Sequence, residues 1–223
     1  MTTKTPRPER RAAALSKYRI VEAAIAILDA DGEGALTFRA LATRLATGSG
    51  AIYWHVADKN ELLAEATNAV IAQVTTGEVA TADPHDAIRA IALGIFDAID
   101  MRPWVGAHLA RAPWQAAMLQ IFEGVGWQLE ALEVPEHAQF DAGSALVSYI
   151  LGVAGQNATN ARLHPPGTDR SAVLAEIAAR WTQHDPTVYP FVHRIARQLQ
   201  EHDDRAQFLA GIDLILAGIE AKR

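Results

Sequence analysis

Cysteine is absent from the 223-residue sequence, and its absence excludes disulfide bonds, thiolate metal ligands and cysteine nucleophiles. No apolar run approaches the ~18 residues that a membrane-spanning helix needs, since the longest, from 145 to 154, contains Ser148. The first residues are charged and lack the apolar segment of a secretory signal peptide. These absences predict a globular protein that does not enter a membrane, and we expect it in the cytoplasm.

Acidic residues outnumber basic ones, but the excess is confined to the later part of the chain. Residues 1–60 hold nine Lys or Arg against six Asp or Glu, whereas residues 61–223 hold eleven against twenty. A basic N-terminal quarter in an acidic protein favours local contact with phosphates. The most basic stretch, at the very start of the chain, either contacts DNA or is a disordered tail.

Strand signals are nearly absent, while apolar residues recur at helical spacing along the whole chain. A first helix ends at Gly32, and a long helix runs from 58 to about 76. The later helices include segments near 188–202 and 205–220. The sequence therefore predicts an all-α fold in which the helix at 58–76 links the N-terminal part to the rest.

The segment from 37 to 59 carries the most specific pattern in the chain. Thr37 can cap a short helix, and the turn Ala46-Thr47-Gly48 contains the glycine that a sharp reversal favours. A second short helix keeps Ile52 inside and turns polar and aromatic side chains outward. Two such helices can form a helix-turn-helix whose second helix enters the major groove of DNA. The alternative is a helical hairpin in the core of an all-α protein.

This segment also resembles the signature of the tetracycline-repressor family of bacterial transcription factors. The resemblance runs from Leu36 to Lys59 and includes Ile-Tyr-Trp-His-Val at 52–56. Residues 208–220 resemble the last helix of the tetracycline repressor's own branch, and residues 144–152 resemble that branch more weakly. The resemblance implies an N-terminal three-helix helix-turn-helix DNA-binding domain followed by a helical ligand-binding and dimerisation domain.

The family pattern assigns DNA contacts to particular residues, with a double-stranded operator as the partner. Thr37 and Lys59 would hold phosphates, and Arg39 would reach a base edge, most naturally guanine. The recognition helix and its end would meet DNA through Ser49, Gly50, Ala51, Tyr53, Trp54 and His55. We expect a basic arm at 1–15, the DNA-binding domain at 16–61 and the effector-binding and dimerisation domain at 62–223.

Some of these assignments have a structural alternative. Gly50 and Ala51 have little side chain with which to read bases, so we expect sparse direct readout and greater dependence on Arg39 and DNA shape. Tyr53 can instead belong partly to the core. His55 can be a plain helix cap.

The last helix is apolar on nearly every side, which favours burial against several neighbours. We place its stripe at a two-fold dimer interface; the stripe comprises Phe208, Ile212, Ile215 and Ile219. There this helix and the helix near 140–158 would pair with their copies in a four-helix bundle. The alternative is the central helix of a monomeric core. A two-fold dimer holds two recognition helices about 34–36 Å apart, which predicts a pseudo-palindromic operator.

The region from 96 to 157 combines aromatic side chains with a few polar ones, the usual lining of a small-molecule site. Its candidate ligand-binding residues are Phe96, Trp104, His108, Trp114, Phe122, Trp127, Tyr149, Gln156 and Asn157, with Gln115 as a further polar group. Each aromatic residue taken alone is better explained by core packing. The composition predicts a small, largely apolar organic effector.

His108 falls where the tetracycline repressor carries a metal-coordinating histidine. Arg111 and Gln156 stand where that repressor has a threonine and a glutamate. A divalent cation held by one imidazole and no carboxylate is disfavoured, because hard cations require oxygen ligands. We therefore expect neither a metal nor a cofactor. His108 is then a hydrogen-bonding residue of the effector site or an ordinary helix residue.

No glycine-rich phosphate loop, Gly-x-Ser-x-Gly or His-Glu-x-x-His motif is present, so no catalytic residue is assigned. The predicted function is that of a ligand-responsive transcriptional regulator, a repressor that a small molecule releases from its operator. One alternative is an activator, or a DNA binder of the same fold that does not respond to small molecules. Another is a small all-α enzyme whose N-terminal unit is incidental.

Overall fold

The computed structural model describes residues 15–75, 83–112, 114–163 and 168–221. Within these ranges every regular element is helical, which confirms the predicted all-α fold. The helices are α1 (Lys17–Asp31), α2 (Phe38–Arg44), α3 (Ser49–Tyr53), α4 (Lys59–Thr75), α5 (Pro84–Met101), α6 (Pro103–Arg111), α7 (Ala116–Ala131), α8 (Glu136–Arg162), α9 (Arg170–Trp181), α10 (Pro190–Ala196) and α11 (Asp204–Glu220). The chain forms two compact units, and the second begins at Val70. In the described ranges no helix has the length and apolar character that would let it cross a membrane.

The first unit is built around α1. Ser16 caps this helix by accepting a hydrogen bond from the backbone N–H of Arg19, and Gly32 ends it with a φ of 75°. One face of α1 is buried; it comprises Ile20, Val21, Ala23, Ala24, Ile27 and Leu28. Leu41 of α2 and Ile52 of α3 are fully buried in the same unit. This core holds α2 and α3 in the predicted helix-turn-helix.

The turn between α2 and α3 differs from the sequence prediction in the residue that makes the reversal. Ala46 occupies the left-handed region with a φ of 50°, whereas Gly48 is the extended N-cap of α3. The backbone N–H of Thr47 donates to the carbonyl of Ala42 at 3.0 Å, which closes the turn. A Cβ in the left-handed region costs roughly 1–2 kcal/mol, so this turn is strained at Ala46.

We expect Ala46→Gly to raise the free energy of unfolding by about 0.5–1 kcal/mol, because the relieved strain exceeds the added entropy of the unfolded chain. Urea unfolding at fixed protein concentration measures the change. Ala40→Gly, inside α2, is the matched control and should lose about 1 kcal/mol. A loss of stability at both positions would contradict a strained turn.

The start of α4 is tied to α1 within the first unit. The carboxylate of Asp58 accepts the N–H of Glu61 at 2.8 Å, and the Glu61 carboxylate accepts the N–H of Ala57 at 2.7 Å. Lys17 donates to Glu61 and, at 2.8 Å, to Glu65. The hydrogen bond to Glu65 raises the pKa of Lys17. From this anchored start α4 continues past the boundary between the units.

In the second unit α5 is the central helix and packs against α6, α7, α8 and α11. Asp83 caps it by accepting the N–H of His85 at 2.9 Å, and Pro84 is its first residue. Its buried side chains are Ala87, Ile88, Ile91, Ala92, Ile95, Phe96, Ala98 and Ile99. Gly94 lets the end of α4 approach closely, because a Cβ there would overlap the side chain of Val74.

An aromatic cluster joins α11 to α5 and α8. The fully buried ring of Phe208 lies 4.7 Å from Phe96 and 5.7 Å from Tyr149, measured between centroids. The Tyr149 hydroxyl donates to the Phe208 carbonyl at 3.2 Å, and burial raises the pKa of Tyr149. Gly211 makes room for Tyr149, because a Cβ at 211 would overlap its hydroxyl. This cluster fixes α11 within its own subunit.

The helix predicted over 188–202 is interrupted in the structure. α10 ends at Ala196, and only a short 3-10 turn at Leu199–Glu201 follows before α11. Residues 197–203 contain one large apolar side chain, that of Leu199. A helix through this stretch would have no apolar stripe to bury, and isolated short helices are marginal in water.

Candidate nucleic-acid interface and effector site

α3, the predicted recognition helix, turns a face of small residues outward. Ile52 is fully buried and anchors the helix in the first unit. Ser49 and Gly50 are exposed, and Ala51 is half-buried. The short helix thus presents little more than one hydroxyl, one methyl group and backbone on this face. Its contact with bases stays a prediction.

The end of α3 carries aromatic residues in two different environments. The ring of Tyr53 stacks on Phe38 of α2, with centroids 4.2 Å apart and ring planes 5° apart. Tyr53 nevertheless remains 56% exposed, and Trp54 is 90% exposed. His55 is half-buried in the following turn. One face of Tyr53 therefore belongs to the packing of the unit, while its remaining surface and the indole of Trp54 are open to a partner.

The two residues predicted to bind phosphates also have structural roles. The Thr37 hydroxyl oxygen accepts the N–H of Ala40 at 3.1 Å and so caps α2, as the sequence predicts. The Lys59 ammonium donates to the carbonyl of Glu33 at 2.7 Å. An ammonium has three donors, so this contact leaves two for a phosphate. Sequence reasoning missed it because it joins residues 26 positions apart.

An open groove of about 550 Å³ lies beside α2. Its lining comprises Ile27, Asp31, Ala35, Thr37, Arg39, Ala40, Thr43 and Arg44. Arg39 and Arg44 are both exposed and lie about 140° apart around the helix at ~100° per residue. Sequence reasoning missed Arg44, although an exposed guanidinium that lines the same groove as Arg39 can hold a further phosphate.

In the second unit the buried face of α6 carries two of the predicted ligand-binding residues. Trp104 and His108 are 8% and 7% exposed, and Val105 and Leu109 complete the same face. Phe96 and Tyr149 lie instead in the aromatic cluster with Phe208. The candidate effector site therefore centres on the inner side of α6.

Three of the predicted ligand-binding aromatic residues lie on the surface of the subunit. Trp114 is 94% exposed, Trp127 is 62% exposed and Phe122 is 39% exposed. They are not part of the subunit core, and their role in ligand binding stays a prediction. The physical reason is that the inner face of α7 is occupied by smaller side chains, namely Ala117, Met118, Ile121, Gly124, Val125 and Leu129.

The polar candidates of α8 also separate. Gln156 is exposed, whereas Asn157 donates from its amide to the Asp100 carboxylate at 2.9 Å. His108 is buried on α6. Within the described ranges no three His, Asp or Glu side chains are grouped as metal ligands would be.

The stripe of α11 that the sequence assigned to the dimer interface faces the interior of its own subunit. Phe208 and Ile212 are fully buried there, and Ile215 and Ile219 are partly buried. Assigning this stripe to a partner subunit is therefore wrong for its two buried members. The opposite side of the helix carries Leu214, which is 76% exposed. Because α11 is apolar nearly all round, its periodicity did not distinguish the two sides.

The first unit thus has the geometry of a DNA reader: a helix-turn-helix with an exposed second helix and exposed guanidinium groups on the first. The second unit is a larger helical body with buried aromatic and polar side chains. Together they define a helix-turn-helix DNA-binding protein with a helical C-terminal unit.

Comparisons with known proteins identify the family. The family model described as "Bacterial regulatory proteins, tetR family" matches residues 20–66. The transcriptional regulator SCO7222, a TetR from Streptomyces coelicolor, is 50% identical, with a TM-score of 0.85 over 93% of this chain and 99% of that chain. An HTH-type transcriptional regulator of Saccharopolyspora erythraea is 29% identical over 219 residues, 96% of this chain and 92% of the relative. BioQ with its natural double-stranded DNA operator is 28% identical, with a TM-score of 0.56 over 68% of this chain and 90% of that chain. The chain belongs to the TetR family and is a DNA-binding transcriptional regulator.

Proposed function

We propose that the protein is a homodimeric cytoplasmic repressor, released from a pseudo-palindromic operator when its second unit binds a small, largely apolar organic molecule. The observation that carries the proposal is the open reading surface of the first unit, formed by the exposed residues of α3 and by Arg39 and Arg44. The similar protein BioQ, which binds double-stranded DNA, supports the kind of partner.

On the operator, the side chains divide into phosphate and base contacts. Thr37, Lys59 and Arg44 hold phosphates, and these contacts position the protein without reading sequence. Arg39 reads a guanine edge through its planar fork. The small side chains of α3 allow close approach to the groove but offer few hydrogen bonds. Sequence-dependent DNA shape therefore contributes a large part of the specificity.

The dimer forms through the outer faces of α8 and α11. On α11 this face comprises Ala210, Leu214, Ala217 and Gly218, and on α8 it comprises Ala145, Ser148 and Gly152, all of them exposed. Small side chains let two copies approach closely, and Leu214 supplies a large apolar group to bury. The resulting two-fold axis would set the two recognition helices one DNA turn apart.

The effector acts through α4, a single helix that begins in the first unit and ends in the second. A molecule bound against the inner face of α6 displaces α4 and changes the spacing of the recognition helices. Linkage limits this effect, because the effector lowers operator affinity only as far as it prefers the DNA-incompetent shape.

We expect Arg39→Ala to weaken operator binding by about 1–3 kcal/mol and to relax sequence preference at one position of each half-site. The physical reason is the loss of a bidentate contact to a base edge. Fluorescence anisotropy with DNA from the protein's own upstream region measures the affinity, and single-base variants of that DNA measure the preference.

Arg44→Ala is the matched control, since it removes the same charge from the same helix. It should weaken operator and random DNA equally and reduce the salt slope by about one unit per half-site. Equal losses on both DNAs for Arg39→Ala would remove its base-reading role. If the output of a reporter gene rises when the protein is present, the protein is an activator and not a repressor. If the intact protein does not bind DNA from its own upstream region, or binds it without salt dependence, the proposed repressor function is overturned.

A further inference from the structure

Two neighbouring residues at the start of α7 have inverted exposures. Trp114, the larger and more apolar, is 94% exposed. Both polar atoms of the Gln115 side chain, Nε2 and Oε1, are inaccessible to solvent. Burial ordinarily favours the indole and leaves the primary amide in water. The fold here buries the amide instead.

The Gln115 amide finds no hydrogen-bond partner for either atom among the described residues. Gln115 is the N-cap residue of α7, yet its side chain does not cap that helix. A buried amide without partners loses its hydration and gains nothing in return, so it destabilises the fold. A buried polar group that lowers the stability of the fold in this way is typical of a residue that binds a ligand.

The helix register places this amide beside the candidate effector site. α7 and α8 are joined by four residues and run antiparallel, with Gly143 facing the side chain of Leu129. From this contact, Gln115 lies fourteen residues back along α7 and Asn157, a predicted ligand-binding residue, lies fourteen residues forward along α8. Each stretch is about 21 Å long at 1.5 Å per residue, so the two residues lie at about the same level of the helix pair. The backbone N–H of Gln115 also donates to the carbonyl of Ala112 at 3.3 Å, and the N–H of Ala112 donates to the carbonyl of His108 at 3.0 Å. Gln115 therefore lies beside the end of α6 that carries His108.

We infer that the Gln115 amide is the polar anchor of the effector, and that the effector carries a neutral carbonyl acceptor beside an N–H or O–H donor, as in a carboxamide or lactam. Only a group with both functions satisfies Nε2 and Oε1 together. A carboxylate would accept from Nε2 but would leave Oε1 without a donor, so the amide favours a neutral group. The inference rests on the proposed effector-binding role of the second unit and specifies the chemistry of that site.

The first test needs no ligand. Gln115→Met removes both unpartnered polar atoms and keeps the length of the side chain, so we expect the thermal midpoint of the ligand-free protein to rise by about 2–8 °C. Gln183→Met, at an exposed glutamine between α9 and α10, is the matched control and should leave the midpoint unchanged. A midpoint that falls in Gln115→Met would show that the amide stabilises the fold, and would overturn the inference.

The second test measures binding with three probes of the same size at pH 8, by thermal shift and tryptophan fluorescence. The probes are 2-naphthamide, 2-naphthoate and 2-methylnaphthalene. We expect the unaltered protein to bind 2-naphthamide at least about 10-fold more tightly than either of the others. Gln115→Met should abolish that preference, and Gln183→Met should keep it. No binding of 2-naphthamide at 1 mM, or equal binding of all three probes, would overturn the proposed ligand class.

Operator release is measured separately, so the two proposals fail in different ways. If 2-naphthamide binds through Gln115 and does not release DNA, the result supports the proposed effector site and contradicts the proposal that a small molecule releases the repressor. If the probe releases DNA equally from the unaltered protein and from Gln115→Met, the result supports the proposed repressor and contradicts the role of Gln115 as the polar anchor.

Discussion

Phe208→Ala is expected to lower the free energy of unfolding by about 3–5 kcal/mol, the typical cost of removing a buried aromatic ring. Phe208 is fully buried and contacts the rings of Phe96 and Tyr149. The truncation would leave a cavity between three helices and would release the end of the Tyr149 side chain. Urea unfolding at several protein concentrations measures the change and separates it from dissociation.

Phe140→Ala makes the same substitution at a residue of α8 that is 79% exposed. It should change the free energy of unfolding by no more than about 0.5 kcal/mol, as surface substitutions generally do. If Phe208→Ala instead unfolds like the intact protein but dissociates to monomers, the ring contributes to the contact between subunits rather than to the core. That outcome would place the buried stripe of α11 at the dimer interface.

Leu214→Asp is expected to dissociate the dimer and to lower operator affinity by roughly 30- to 1000-fold, which corresponds to about 2–4 kcal/mol. Leu214 is 76% exposed in the single subunit, so an aspartate there is well solvated and the subunit should still fold. In the proposed dimer the same carboxylate would be buried without a partner in each subunit. Sedimentation velocity measures the dissociation, and circular dichroism verifies that the subunit remains helical.

Leu119→Asp is the comparison, because Leu119 is 67% exposed but lies on α7. This variant should remain dimeric and bind the operator normally. A dimeric and fully active Leu214→Asp protein would exclude the outer face of α11 from the interface. Dissociation by both variants would show that the interface extends to α7.

The helix-turn-helix could be predicted from the sequence because its signals are local. Thr37 caps α2 through a residue three positions away, and Ile52 anchors a helix of only five residues. Such interactions depend on neighbours that the chain itself places nearby. The turn prediction failed in one detail, since Ala46 rather than Gly48 occupies the left-handed region. The packing of α2 and α3 holds Ala46 in the left-handed region, which the conformational preference of alanine opposes.

The candidate effector site could be predicted only in part, because composition does not say which side of a helix faces inward. The sequence treated the aromatic residues of 96–157 alike, but the structure buries Trp104 and exposes Trp114 and Trp127. The buried amide of Gln115 has no signal in the sequence beyond its polarity. The Gln115 amide is notable because it lacks hydrogen-bond partners, and that lack depends on every element packed around it.

The sequence by itself determined the all-α fold, the order of the helices and the helix-turn-helix, since these follow from periodicity, caps and turns between residues close in the chain. Only the tertiary structure decided which face of α11 belongs to the subunit core and which tryptophans lie outside. It also decided that Lys59 binds the carbonyl of Glu33. These features depend on contacts between distant residues. When a helix such as α11 is apolar nearly all round, its local pattern favours several faces equally, and only the competition among its neighbours selects one.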